Sequence, residues 1–214
     1  RSTPLYSSAA SDVYKRQLER YGAENMENSE TIFFYDSTAT VQILSLLEGD
    51  EGDELRWQFA IKGVDEFLNS FALSLSEKKE LMASISGNFL KEFNADNSET
   101  KKQLGSKYRD IRSKIDLATQ TVLSEEHEFY SIWKIFRVRS ENLVGCIAHL
   151  NQLYASNKLS VHKSDLIASY LHMFLNRFLR SKQRLQEMVI YDMLHQHYKS
   201  LLARQLVKSS TGSQ

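Results

Sequence analysis

The segment RWQFAIKGVDEFLNSFAL, Arg56–Leu73, places Trp57, Ala60, Ile61, Val64, Phe67, Leu68 and Phe71 at steps of three and four residues. That is the period of a helix with one apolar stripe, and such a stripe needs other helices to cover it. Outward from this segment the pattern recurs. On the N-terminal side, Asn25–Phe34 reads as one helix and Thr38–Leu47 as another, with Asp36 and Ser37 as caps between them. The acidic GDEGD of Gly49–Asp53 reads as a solvated turn, and Leu18–Gly22 as a loop or the end of an extended segment. On the C-terminal side, helices are predicted over Ser76–Phe93, Lys101–Val122, Ser124–Tyr154, Ser164–Arg180 and Gln183–Gln205. Asn94–Glu99 and Ser156–Ser160 break them, and the polar Val207–Gln214 is expected to fray. The sequence has a single proline, Pro4, and few glycines, so long uninterrupted helices are expected. No stretch alternates like a strand and no unit repeats. The fold class predicted is mainly α.

Composition excludes several functions. The chain carries 27 basic and 27 acidic side chains, which gives no electrostatic case for nucleic-acid binding. No stretch approaches the ~18 apolar residues of a membrane span. The single cysteine, Cys146, lies among Val144, Ile147 and Ala148 and reads as a buried structural thiol. A lone cysteine suits a reducing, cytoplasmic setting. His149, His162, His195 and His197 show no metal-ligand spacing, so no metal or other cofactor is expected.

The first residues stand apart. Ser7–Gln17, SSAASDVYKRQ, resembles the translation of a transposase-based sequencing-library adapter, and Arg1–Tyr6 fits its primer tail. Residues 1–17 are therefore expected to be non-native, with neither the apolar core of a signal peptide nor helical periodicity. Without Arg1, Asp12, Lys15 and Arg16, 24 basic and 26 acidic side chains remain. The domain body is expected over residues 18–206 and the tail over 207–214.

The segment with most chemical promise is SYLHMFLNRFLR, Ser169–Arg180. His172 and Asn176 are four apart and share a helix face. Arg177 and Arg180 lie nearby, in a run otherwise rich in Leu, Met and Phe. Polar groups inside an apolar helix need partners or a ligand, although satisfied structural residues show the same pattern.

Here a family resemblance appears. ERYG at Glu19–Gly22, followed by Met26, Glu30, Phe33 and Asp36-Ser37, resembles one signature of the thiopeptide-type bacteriocin biosynthesis family. HMFLNRF at His172–Phe178 resembles a second, HMxxNR, and YDMLHQHYKS at Tyr191–Ser200 fits the helix that closes the domain. The family includes the C-terminal elimination domain of class I lanthipeptide dehydratases. Ala23 stands where a second glycine is common. The family's upstream β-rich part, with an arginine in an RxRF-like strand, has no counterpart here. The resemblance thus implies the helical C-terminal portion of an α+β elimination domain, truncated at the adapter junction and not necessarily active by itself.

The resemblance implies a lyase that removes glutamate from glutamylated Ser or Thr of a ribosomal precursor peptide, giving dehydroalanine or dehydrobutyrine. Arg20 is implied to bind carboxylate and His172 to move protons, as base, as acid or as both. Asn176 and Arg177 complete the motif as supporting or substrate-binding residues, and Tyr21 lines the pocket or packs. Glu30 and Asp36 are expected to fix the Arg20 loop, and Tyr108-Arg109 to sit at the core edge or in solvent. Implied partners are the glutamylated precursor peptide and a tRNA-dependent glutamylation domain or protein; a homodimer is admitted, direct nucleic-acid binding is not. Two alternatives stay open: a thiopeptide pyridine-forming cyclase of the same superfamily, and a non-catalytic helical peptide-binding module.

Overall fold

The computed structural model describes residues 5–47, 49–180 and 182–211, with no side-chain account for 5–11, 49–51, 53–54 and 208–211. The described residues contain no strand, as the sequence predicts. The elements are α1 (Leu5–Tyr21), a 3-10 turn (Ala23–Asn25), α2 (Met26–Leu46), α3 (Gly49–Ser70), α4 (Leu75–Glu92), α5 (Ser98–Ala118), α6 (Tyr130–Ala155), α7 (Lys163–Phe178) and α8 (Gln183–Thr211). None is long and apolar enough to cross a membrane.

α3 is the central helix. Phe59, Ala60, Ile61, Val64 and Leu68 have no exposed surface, and α5, α6, α7 and α8 all pack against it. α2 lies along α6, and α4 lies along α8. Gly63 permits the closest approach. A Cβ there would stand 2.3 Å from Phe174 Cζ and 2.9 Å from Phe136 Cε1.

The helix ends follow local chemistry. Ser74 and Glu77 form a reciprocal capping box at the start of α4. Asn97 caps α5 by accepting from the Thr100 amide. Ala72, Asn94 and Asn157 adopt left-handed φ after α3, α4 and α6. Each begins a Schellman closure, with Leu73 N donating to Leu68 O, Ala95 N to Leu90 O and Lys158 N to Leu153 O.

Several sequence expectations are corrected. Asn25–Phe34 and Thr38–Leu47 are not separate helices; α2 runs unbroken through Asp36, whose side chain is buried rather than capping. Asp36 sits on the same stripe as Ser29, Ile32, Ala39 and Ile43, so the core claims it. Gly49–Asp53 is not a turn but the start of α3. Ser124–Phe129 forms turns, and α6 starts only at Tyr130. Leu18–Tyr21 is helical, the end of an α1 that begins inside the segment expected to be non-native and non-helical. Its run of Ser and Ala contains no helix breaker. α8 continues to Thr211, past the tail expected from Val207.

His197 on α8 is buried, with Nε2 3.0 Å from Thr119 Oγ1. Nδ1 stands 3.4 Å from Asp116 Oδ1 without hydrogen-bond geometry. Burial pushes its pKa down, against the pull of Asp116 and Asp65. The folded state therefore binds this proton less readily than the unfolded chain does. Stability is full above the unfolded histidine value of 6.5 and is lost as pH falls through the lower folded value. Urea midpoints should fall on acidification from neutral pH, and His197→Gln should flatten that slope; an unchanged slope would refute the assignment. Gly63→Ala should cost about 1–3 kcal/mol in urea denaturation, because the added methyl meets two packed rings.

Candidate active site

α7 divides its polar residues between two sides. Leu166, Ile167, Tyr170, Leu171, Phe174, Leu175 and Phe178 are buried, while His172, Asn176 and Arg177 flank that stripe half-exposed. One helical turn separates His172 from Asn176, and Asn176 Nδ2 donates to His172 Nε2 at 2.9 Å. A further residue takes Arg177 roughly 100° around the helix, towards α2. Its guanidinium pairs with Asp36 and lies 5.4 Å from the Phe33 ring centroid.

The other imidazole nitrogen meets α8. His172 Nδ1 lies 3.0 and 2.9 Å from the two carboxylate oxygens of Glu187. Glu187 is buried, and Tyr191 OH donates to its Oε1 at 2.8 Å. Burial, and then the Glu187 charge, push the Tyr191 phenol well above its ordinary pKa, so it remains a donor. With Asn176 donating to Nε2, the consistent form is a neutral imidazole that donates through Nδ1–H to Glu187. Gln183 Nε2 fixes the junction by donating to the carbonyls of Asn176 and Leu179 at 3.0 and 2.9 Å.

Arg20 reaches the same place. It lines one groove, of about 240 Å³, with Ser169, His172, Arg184, Glu187 and Tyr191. Gly22 sets its approach: at φ +78° it ends α1, and a Cβ there would meet Leu159 Cδ1 at 2.3 Å. Arg184 is a second cation in this groove, paired with Glu92 and 5.1 Å from the Phe89 ring centroid. The groove therefore offers two guanidinium groups beside an imidazole held by a buried carboxylate. Such a set can bind carboxylates and transfer a proton.

Of the residues singled out in sequence, Arg20 and His172 line the groove, Asn176 is joined to it through its bond to His172, and Tyr21 and Arg177 are not in the lining. Tyr21 is buried, stacked on Tyr170 at 5.6 Å and edge-on to Phe33 at 5.3 Å. Burial raises its phenol pKa, and the adjacent Arg20 opposes the rise. Asp36 holds Arg139 and Arg177 rather than the Arg20 turn, and Glu30 is exposed. Tyr108 is buried while Arg109 is exposed. Arg180 lines a different groove, of about 500 Å³, between α3, α5 and α8. That larger groove has no imidazole and, among the described residues, no carboxylate in its lining. Cys146 is buried, and burial raises its thiol pKa. The described residues hold no cluster of three metal-ligating side chains.

Sequence reading missed Glu187, Arg184 and Arg139. Glu187 shares a stripe with Tyr191 and Leu194, and Arg139 with Phe136 and Leu143. A charge inside an apolar stripe is the signal that could have found both.

Residues 1–198 match the family described as lantibiotic biosynthesis dehydratase, C-terminal. The chain belongs to that family. Membership gives a role in lanthipeptide dehydration and a dehydratase-type enzyme, with a precursor peptide as the family's substrate. Curated proteins and solved structures gave no significant match.

Asp36→Asn should leave Arg139 buried without its charge partner. The expected loss is about 3–5 kcal/mol in urea denaturation. A loss under about 1 kcal/mol would mean that the Gly63 carbonyl and the aromatic faces hold the guanidinium unaided.

Proposed function

We propose that this dehydratase-family chain carries out the elimination step, releasing glutamate from glutamylated Ser or Thr of a precursor peptide. The observation behind this is the groove in which Arg20 and His172 meet, with Glu187 at the far side of the imidazole. β-Elimination must remove a weakly acidic Cα proton and expel a carboxylate. Glu187 accepting from Nδ1–H leaves Nε2 as the basic nitrogen. Substrate displaces the Asn176 amide, and Nε2 takes the Cα proton. The electron pair left on carbon forms the Cα–Cβ double bond as the Cβ–O bond breaks. The departing electrons reside on the glutamate carboxylate, where Arg20 offers a permanently charged, two-pronged donor. Arg184, beside it, suits the second carboxylate of the same glutamate.

Glu187 and Tyr191 are positioning residues, and Asn176 holds the imidazole before substrate arrives. Tyr21 supports Arg20 from the core, and Arg177 anchors α7 through Asp36. The glutamylation itself belongs to a separate tRNA-dependent domain or protein in this reading.

The test supplies a glutamylated precursor peptide and follows glutamate loss by mass spectrometry. His172→Ala and Arg20→Ala should each abolish elimination with the fold retained, and Glu187→Gln should lower turnover by about 10–100-fold. Elimination that survives both alanine variants would overturn the site. No elimination by the wild-type protein would favour the cyclase or the peptide-binding module instead.

A further inference from the structure

We propose that the groove between α3, α5 and α8 docks an acidic segment of the substrate peptide carrying a large apolar side chain. This rests on the peptide-processing reading of the neighbouring His172 groove. The floor is apolar, formed by Trp57 of α3, Ile111 of α5 and Val189 and Met193 of α8. Lys107 and Lys114, both exposed, stand on one face of α5 on either side of Ile111. Neither forms an ion pair among the described residues, and no described acidic side chain lines the groove. Its volume of about 500 Å³ suits a few side chains rather than a folded partner. An apolar floor under a cationic rim is complementary to a peptide that alternates carboxylates with Leu, Ile or Phe. Nucleic acid fits less well, because the floor offers one aromatic plane, Trp57, among aliphatic side chains.

The position gives such binding a purpose. α8 is the wall between the two grooves: Leu185, Gln186 and Val189 face this one, while Arg184, Glu187 and Tyr191 face the other. A helix is about 10–12 Å across, so a chain passing around it from one side to the other needs roughly five extended residues. A peptide anchored on the Lys107–Lys114 side can therefore present a residue a short distance along its chain to His172. Held this way, its reacting residue meets the imidazole at high effective concentration.

Trp57 provides the readout. The protein has two tryptophans; Trp133 is buried with its indole N–H donated to Gln120 O at 2.8 Å, so groove occupancy reports through Trp57. The probe is a short synthetic peptide in which a Leu-Phe pair is flanked by Asp and Glu, with its Asn/Gln counterpart as control. The acidic peptide should bind saturably, more tightly than the neutral one, and more weakly as salt rises. The double variant Lys107→Glu/Lys114→Glu should lose affinity at least about tenfold, and Trp57→Phe should remove the signal. The double variant should process a minimal glutamylated peptide, too short to reach the groove, at the wild-type rate, while losing kcat/KM on a longer acidic one. Equal affinity for both peptides, affinity unchanged in the double variant, or tighter binding of a single-stranded oligonucleotide would overturn the proposal. If charge-dependent peptide binding holds but neither peptide loses glutamate with wild-type protein, the chemistry assigned to His172 falls and the docking groove stands.

Discussion

The carboxylate of Asp36 is shared by two guanidinium groups, Arg139 from α6 and Arg177 from α7. Arg139 is buried, and its Nη2 also donates to the Gly63 carbonyl of α3 at 2.6 Å. One acid thereby ties together four helices. Its environment explains why the charges tolerate burial. Phe136, Phe174 and Phe67 present ring centroids 4.9, 5.2 and 5.6 Å from the Arg139 guanidinium carbon, so its remaining surface meets aromatic faces. Burial pushes the Arg139 pKa down and Asp36 opposes that shift. Replacing such a cluster with apolar residues of equal volume can be neutral or stabilising, whereas removing one partner is costly. Its structural consequence here is registry.

Registry matters because α7 serves two neighbourhoods from adjacent residues. Arg177 is locked to Asp36 on one side while Asn176 reaches His172 on the other. A rotation of α7 that loosened one contact would displace the second. Gly63 sets the distance: the lack of a side chain there lets Phe174 press against α3. The imidazole thus takes its position from buried contacts on several elements. Arg20 is placed with comparable economy, since the turn at Gly22 ends α1 while Tyr21 is stacked in the core.

The helical class was legible because the chain lacks internal proline and because Trp57, Ala60, Ile61, Val64, Phe67, Leu68 and Phe71 recur with helical period. Boundaries were less legible where a polar residue had two plausible uses. Asp36 and Ser37 have the chemistry of a helix cap, and local sequence carries no record of Arg139, 103 positions away, which holds Asp36 instead. The same limit applies to the groove. His172 and Asn176 were readable as a pair because helical spacing alone joins them. Glu187 was not, because the turn after α7 decides which face of α8 meets the imidazole. Arg20 was brought to attention by a motif rather than by periodicity, and its meeting with His172 depends on packing between distant segments.

α8 joins these strands of the structure. Its buried polar residues are not spare core positions: Glu187 meets His172, Tyr191 meets Glu187, and farther along Tyr198 donates to Asp65 at 2.6 Å. Asp65 also accepts from Lys78 of α4 at 2.9 Å, so the Tyr198 hydrogen bond ties α8 to an ion pair between α3 and α4. That anchoring leaves the first turns of α8 to separate two unlike surfaces, one lined by Arg20 and His172 and the other by lysines over an apolar floor. A helix fixed farther along by the buried Tyr198–Asp65 hydrogen bond and near its start by Glu187 and Gln183 contacts can keep both surfaces in constant relation. A peptide-modifying enzyme needs that constancy, because a flexible substrate brings no rigid geometry of its own and the protein must supply the spacing between anchor and reacting residue.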